Sequence, residues 1–210
     1  MKRFNTLATL TGFIEPQAQY KDTFMIAIVG CPGAGKSTLS NALKEAIPHT
    51  NVVQMDGFHL TNEVLEKKGL LQRKGSPETF DLGGFNALLE RLKNRDISQN
   101  ETIYAPKFDR ELDASIGSAI PILATDKCII VEGNYLLLDK MGWSDLKPYF
   151  DLTIFIEVNE EELISRLTKR WLDLGLDEKT ALKKVQSNDQ LNIQLVSDNL
   201  LTPDITLSFN

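Results

Sequence analysis

The run GCPGAGKST at residues 30–38 sets Gly30 and Gly35 at the ends of a short loop and follows them with Lys36 and Ser37. This is the G-x-x-x-x-G-K-[ST] spacing. Glycines so placed let successive backbone N–H groups turn inward around phosphate oxygens, and a helix beginning at the loop's end adds partial positive charge. Gly33, Ala34 and Thr38 complete the cradle. The lysine can reach the β- and γ-phosphates of a nucleoside triphosphate, and the serine hydroxyl can ligate Mg²⁺. A dinucleotide turn requires GxGxxG, whereas Gly30, Gly33 and Gly35 are spaced GxxGxG, and Lys36 with Ser37 would have no task there. The loop therefore reads as a site for a nucleoside triphosphate such as ATP.

Holding phosphate is not yet moving it. Asp56, in MDGFH, falls at the end of an apolar run, where a carboxylate can orient a substrate hydroxyl and accept its proton. An aspartate before glycine is equally suited to a turn or a helix cap. Glu132, in VEGNYLLL, follows a second apolar run and stands where a Walker-B-type acid would hold Mg²⁺; the alternative is an exposed loop glutamate. In EELISRLTKRW (161–171), Arg166 and Arg170 are four residues apart and share one helical face. They can close over a transferring phosphoryl group, or Arg166 can simply pair with Glu162 across a solvated face.

These residues need a scaffold that gathers strand ends. Apolar runs at 24–29, 51–55, 128–133, 152–158 and 204–209 alternate with helical patterns at about 36–47, 60–69, 83–94, 160–171 and 178–196. Alternation of this kind predicts an α/β fold with a parallel five-stranded sheet flanked by helices. The stretch 101–108 can be extended, and Gly117 and Pro121 read as breaks after it. Residues before 22 are expected to form a helix on the core. The organisation is a single domain over residues 1–210. Residues 22–58 carry the phosphate loop and Asp56, 59–126 form a substrate-binding insertion, and 127–210 carry Glu132, a small lid and the last strand.

The composition fits a soluble globular chain: 42% hydrophobic, 25% charged, with a formal net charge of -6 over 210 residues. That balance argues against a nucleic-acid partner, which calls for a basic face. No apolar run approaches the roughly 18 residues of a membrane span. Two cysteines, Cys31 and Cys128, make no disulfide framework, and no secretory pattern opens the chain, so a cytoplasmic setting is expected. No N-K-x-D guanine motif is present to suggest a GTPase switch.

With the loop, Asp56, Glu132 and the arginines assembled, the chain resembles the phosphoribulokinase/uridine kinase family of P-loop kinases. The blocks MDGFHL, RKGSPETFD, YAPKFDR and VEGNYLLL are similar to a branch linked to fructose transport and to bacterial pantothenate kinase. The resemblance implies a P-loop NTPase fold with the Walker-B strand beside the phosphate-loop strand, and an ATP- and Mg²⁺-dependent kinase acting on a hydroxyl of a small molecule. It implies Asp56 as catalytic base, Lys36, Ser37 and Glu132 around the phosphates and metal, and Arg166 and Arg170 in the lid. It also implies that the insertion contacts the acceptor, making His59, Arg73, Lys74, Tyr104, Lys107 and Arg110 candidates. Asn134 is a further candidate for the pocket, or it caps the next helix. His59 can instead pack within the fold, Arg73 and Lys74 can be a solvated pair, and Tyr104 can be core. A homodimer is compatible with the family. YAPKFDRELD stands where uridine kinase-like members carry YDxxxHxR, which argues against uridine. The expected acceptor is a sugar or similar metabolite; the alternative is a nucleoside or pantothenate-type vitamin-precursor kinase, or a non-catalytic nucleotide-binding switch.

Overall fold

The protein, described here by a computed structural model covering residues 2–208, begins with a three-residue strand, β1 (Lys2–Phe4), and a helix, α1 (Leu7–Gln19). Thr6 caps α1 by accepting a hydrogen bond from the Thr9 amide, and Leu10, Ile14 and Ala18 bury one face of it against the core. Strand β2 (Phe24–Val29) is buried along its whole length and feeds the glycine loop and helix α2 (Lys36–Ala46). β3 (Thr50–Gln54) leads into a single 3₁₀ turn, Met55–Phe58.

The insertion follows. It holds α3 (Asn62–Lys67), α4 (Leu82–Lys93) and an antiparallel hairpin of β4 (Ile103–Asp109) and β5 (Ala114–Ile122). The chain then returns through β6 (Cys128–Gly133), β7 (Leu152–Ile156), α5 (Glu160–Asp173), α6 (Glu178–Lys184), a π-helical turn at Val185–Asp189, α7 (Gln190–Asp198) and β8 (Ile205–Leu207).

The main sheet runs β1-β8-β7-β2-β6-β3, and every pairing in it is parallel. Parallel strands covered by helices on both faces read as continuous apolar runs, as FMIAIV and CIIV do. β6 lies between β2 and β3, with Glu132 in register with Ile28 on one side and Gln54 on the other. The phosphate loop, Asp56 and Glu132 therefore emerge from one edge of three adjacent strands, where open α/β sheets build their ligand sites.

The expected five strands are six among the described residues. The sixth, β1, is too short to show periodicity and is recruited by pairing with β8. Strand β8 ends at Leu207; Phe209, expected as its end, lies outside the described residues. Gly117 and Pro121 do not break the segment after β4 but lie inside β5. In a two-stranded ribbon both strands are edges, and an edge tolerates proline. The helix expected over 178–196 is divided by the π-helical turn.

Candidate active site

Gly33 and Gly35 have φ of 82° and 92°, left-handed values that suit glycine and turn the loop into the start of α2. Lys36 folds back over this loop and donates from Nζ to the Cys31 carbonyl at 3.1 Å. Desolvation pulls its pKa below the usual lysine value, opposed by the nearby Glu132 and Asp56 carboxylates. Cys31 is buried and its thiol is pushed up by desolvation, which leaves it a packing residue rather than a nucleophile.

Ser37 Oγ donates to Glu132 Oε1 at 2.7 Å. Glu132 is only 7% exposed, and burial raises its pKa against the lowering influence of Lys36 and the Ser37 hydrogen bond. A buried carboxylate beside a hydroxyl at the foot of a phosphate loop suits Mg²⁺, which commonly binds through one or two carboxylates and the substrate's phosphates. Among the described residues no cluster of three or more His, Cys, Asp or Glu side chains could form an all-protein metal cage.

Asp56 occupies the 3₁₀ turn after β3. Gly57 lets β4 pass close against that turn: a Cβ there would lie 2.5 Å from the Pro106 carbonyl oxygen. Arg110 approaches Asp56 Oδ2 at 3.7 Å. His59 is tied to the same turn, its Nδ1 lying 2.8 Å from the Asp56 carbonyl oxygen, while its ring packs against Phe80 and Phe108 with centroids 4.1 and 4.7 Å away. Burial lowers its pKa, so the ring is neutral near pH 7.

These groups border a cavity of about 560 Å³ between the insertion and the C-terminal helices. Of the residues expected to bind an acceptor, His59, Lys74, Arg110 and Asn134 line it, as do Asp56 and Arg170. All three Lys74 hydrogen bonds are committed, to Asn62 Oδ1 and the Asp113 carbonyl at 2.7 Å and to Asp113 Oδ2 at 2.8 Å. Arg73 lies behind the wall, donating to the Ser187 carbonyl and to the Oδ1 atoms of Asn188 and Asn192. Tyr104 is 55% exposed and Lys107 is exposed; neither lines the cavity. A register shift between Ala105 and Lys107 breaks the strand's alternation, so that Phe108 and Arg110 turn inward instead.

The two arginines of α5 part company. Arg166 Nε donates to Glu162 Oε1 at 2.8 Å, and its Nη1 reaches the Gly33 carbonyl at 3.3 Å. Arg170 lines the cavity without an ion pair among the described residues; burial first and then Arg110 lower its pKa, opposed by Asp56 and Asp189. Sequence reasoning missed Asp113, Asp189, Asn192 and Trp171. Asp189 and Asn192 fall in the amide- and acid-rich stretch 187–192, but nothing in the pattern marked a π-helical turn.

This geometry has counterparts. The AAA domain family model matches residues 26–175. A candidate uridine kinase from Schizosaccharomyces pombe is 32% identical, over 90% of this chain and 84% of that protein. The chain belongs to the P-loop kinase family of uridine and pantothenate kinases. A candidate fructose transport system kinase from Silicibacter sp. TM1040 superposes on the kinase with a TM-score of 0.89 at 41% identity, over 97% of this chain and 99% of that one. The pantothenate kinase of Lacticaseibacillus casei is 31% identical over 73% of this chain, but this chain spans only 51% of its length. The kinase is thus a nucleotide-binding phosphotransferase acting on a small molecule. No described helix is long and apolar enough to cross a membrane.

Proposed function

We propose that the kinase transfers the γ-phosphoryl group of Mg·ATP to a hydroxyl of a sugar or similar polyhydroxylated metabolite bound in the 560 Å³ cavity. The observation that carries this reading is the position of Asp56, whose carboxylate lines the acceptor cavity and whose charge is felt by Lys36 of the phosphate loop.

Lys36 and the loop amides hold the β- and γ-phosphates. Ser37 and Glu132 would hold Mg²⁺, which when bound supplies charge neutralisation to the phosphates. Asp56 orients the acceptor hydroxyl and takes its proton as the hydroxyl oxygen bonds to phosphorus and the bond to the ADP oxygen breaks. Arg170, lining the cavity and without an ion pair among the described residues, faces the charge developing on the transferred group. Positioning and electrostatics do most of this chemistry. The segments 22–58, 59–126 and 127–210 then divide the work into phosphate binding with the base, acceptor recognition, and metal and lid. The free, buried Cys31 and Cys128 suit a reducing cytoplasm.

The amide, carboxylate and cationic side chains that line the cavity beside Phe80, Phe108 and Trp171 offer many hydrogen-bonding groups to a polyol, and the named pantothenate kinases extend to about twice the length matched here. The test is ADP release from Mg·ATP with D-fructose, D-ribose, D-glycerate, uridine and pantothenate, with Asp56→Asn run alongside. A sugar-dependent rate that falls about 10²- to 10⁴-fold in the variant, with ATP affinity retained, is expected. Equal acceptor-independent hydrolysis in both proteins would overturn the reading.

A further inference from the structure

The π-helical turn at Val185–Asp189 ends on a carboxylate that the phosphoryl-transfer machinery does not use. Such turns recur at functional sites, since the widened turn re-aims side chains away from the ordinary helical register. Asp189 is 8% exposed and lines the cavity. Its Oδ2 accepts a hydrogen bond from the Trp171 indole at 2.7 Å. Its Oδ1 meets no donor among the described residues, yet it is not sealed in the protein. Burial raises the Asp189 pKa, while the Trp171 bond and the more distant Arg170 and Lys184 oppose that rise. An acceptor oxygen that opens on the cavity and has no protein donor is available to a hydroxyl or N–H of a bound molecule, which would replace water there.

A second group points the same way. Asn192, three residues on and on the same helical face, is 2% exposed and also lines the cavity. Its Oδ1 accepts from Arg73 Nη2 at 3.3 Å, which fixes the amide so that Nδ2 is the remaining edge. That Nδ2 donates to nothing among the described residues and is not sealed either. Asn188, by contrast, has both ends engaged, accepting from Arg73 and donating to the Lys74 carbonyl. Arg73 is therefore a clamp that orients this wall.

The wall thus presents one acceptor and one donor. A hydroxyl can do both, donating to Asp189 Oδ1 and accepting from Asn192 Nδ2, whereas a deprotonated anionic group has no proton to donate to the carboxylate. We infer that Asp189 and Asn192 form a specificity subsite that grips a hydroxyl of the polyol acceptor other than the one phosphorylated. The inference rests on the kinase reading above for its acceptor, but it is tested through binding.

The experiment titrates D-fructose, D-ribose, their monodeoxy counterparts and uracil into the full chain without nucleotide, followed by calorimetry and tryptophan emission. Trp171 reports on Asp189, and Trp171→Phe identifies its share of the signal. In Asp189→Asn the side-chain oxygen is needed by the indole, so the cavity edge changes from acceptor to donor. A sugar is expected to bind the wild type with an emission change and to bind Asp189→Asn about 10- to 100-fold more weakly, with melting temperature and ATP affinity unchanged. The deoxy counterpart lacking the gripped hydroxyl should lose a similar factor against the wild type and little against the variant. Asn192→Asp, which keeps the oxygen for Arg73 but removes the donor, carries the same test if Asp189→Asn does not fold. Equal sugar affinity in wild type and variants overturns the subsite. So does the failure of any sugar to bind, or binding of uracil in place of sugars, since its imide edge also offers a donor beside an acceptor. Sugar binding without sugar-dependent ADP release would instead overturn the kinase reading and leave the subsite standing.

Discussion

Ser37 Oγ and Glu132 Oε1 meet at 2.7 Å, joining the first turn of α2 to the end of β6. The two residues stand 95 positions apart in the chain, and the pairing of β2 with β6 is what makes them neighbours. The hydroxyl and the carboxylate are thereby held together before any ligand arrives, and Lys36 offsets part of the cost of burying the charge. Preorganisation of this kind spares the reorganisation that a flexible pair would undergo on binding.

Glu132→Gln tests that pair. The amide keeps the shape and can still accept from Ser37, but it removes the negative charge. With a metal's contribution to phosphoryl transfer at several kcal/mol, kcat should fall about 100-fold or more, with circular dichroism unchanged. A variant that retains the wild-type rate at every Mg²⁺ concentration would sink the metal assignment.

The parts of the site that were legible in the sequence are those fixed by strand ends. Parallel β2, β3 and β6 deliver whatever follows them to one edge, so the loop, Asp56 and Glu132 could be brought together from sequence alone. The rest depended on local departures from regular geometry. Lys107 would share a face with Ile103 and Ala105 in an unbroken strand, but the shift after Ala105 separates them. Asp189 sits in a π-helical turn that no 3.6-residue period can reveal, and its partner Trp171 lies on a different helix. Strand β5 was hidden by Gly117 and Pro121, which a solvent-edged ribbon accommodates. Strand β1 owes its existence to β8 rather than to its own three residues.

Gly57→Ala is expected to destabilise the protein and misplace the base together. The added methyl would meet the Pro106 carbonyl oxygen at 2.5 Å and its carbon at 2.7 Å, both backbone atoms that cannot rotate away. Overpacking of this sort costs roughly 1–3 kcal/mol, and each kcal/mol lowers Tm by about 2–4 °C in a chain this size. Calorimetric melting beside kcat would measure both effects. An unchanged Tm would show that the 3₁₀ turn has room to move.

His59 gives the stability a pH dependence with a definite sign. Burial holds its folded pKa below the ordinary value of 6.5, so the unfolded chain binds more protons once the pH drops past that value. Stability should therefore fall as the pH is lowered from about 7 toward 5. Glu132 and Asp189, whose pKa values are raised, work in the opposite direction. Urea unfolding of wild type and His59→Gln across this range removes that background, and the wild type should show the steeper loss toward low pH. Parallel curves would mean that His59 is as readily protonated in the folded state as in the unfolded one.

Arg166 and Arg170 lie one helical turn apart, yet substituting them should have unequal consequences. Arg166 is held by Glu162 and by the Gly33 carbonyl, and its side chain is 46% exposed. Arg170 turns into the cavity, has no carboxylate within ion-pair distance among the described residues, and is influenced by both Asp56 and Asp189. A cavity-lining arginine with no ion pair, free to meet developing phosphoryl charge, is worth about 10³-fold or more in kcat, whereas a partly exposed i,i+4 pair adds little. Arg170→Ala should therefore lower kcat about 10³-fold, and Arg166→Ala about tenfold or less, each with nearly unchanged melting. Lysine at position 170 should recover only part of the rate, because a single ammonium group cannot reproduce the guanidinium fork. Equal losses in the two alanine variants would show that both arginines reach the phosphoryl group, and that the contact between Arg166 and the loop gives way during the reaction.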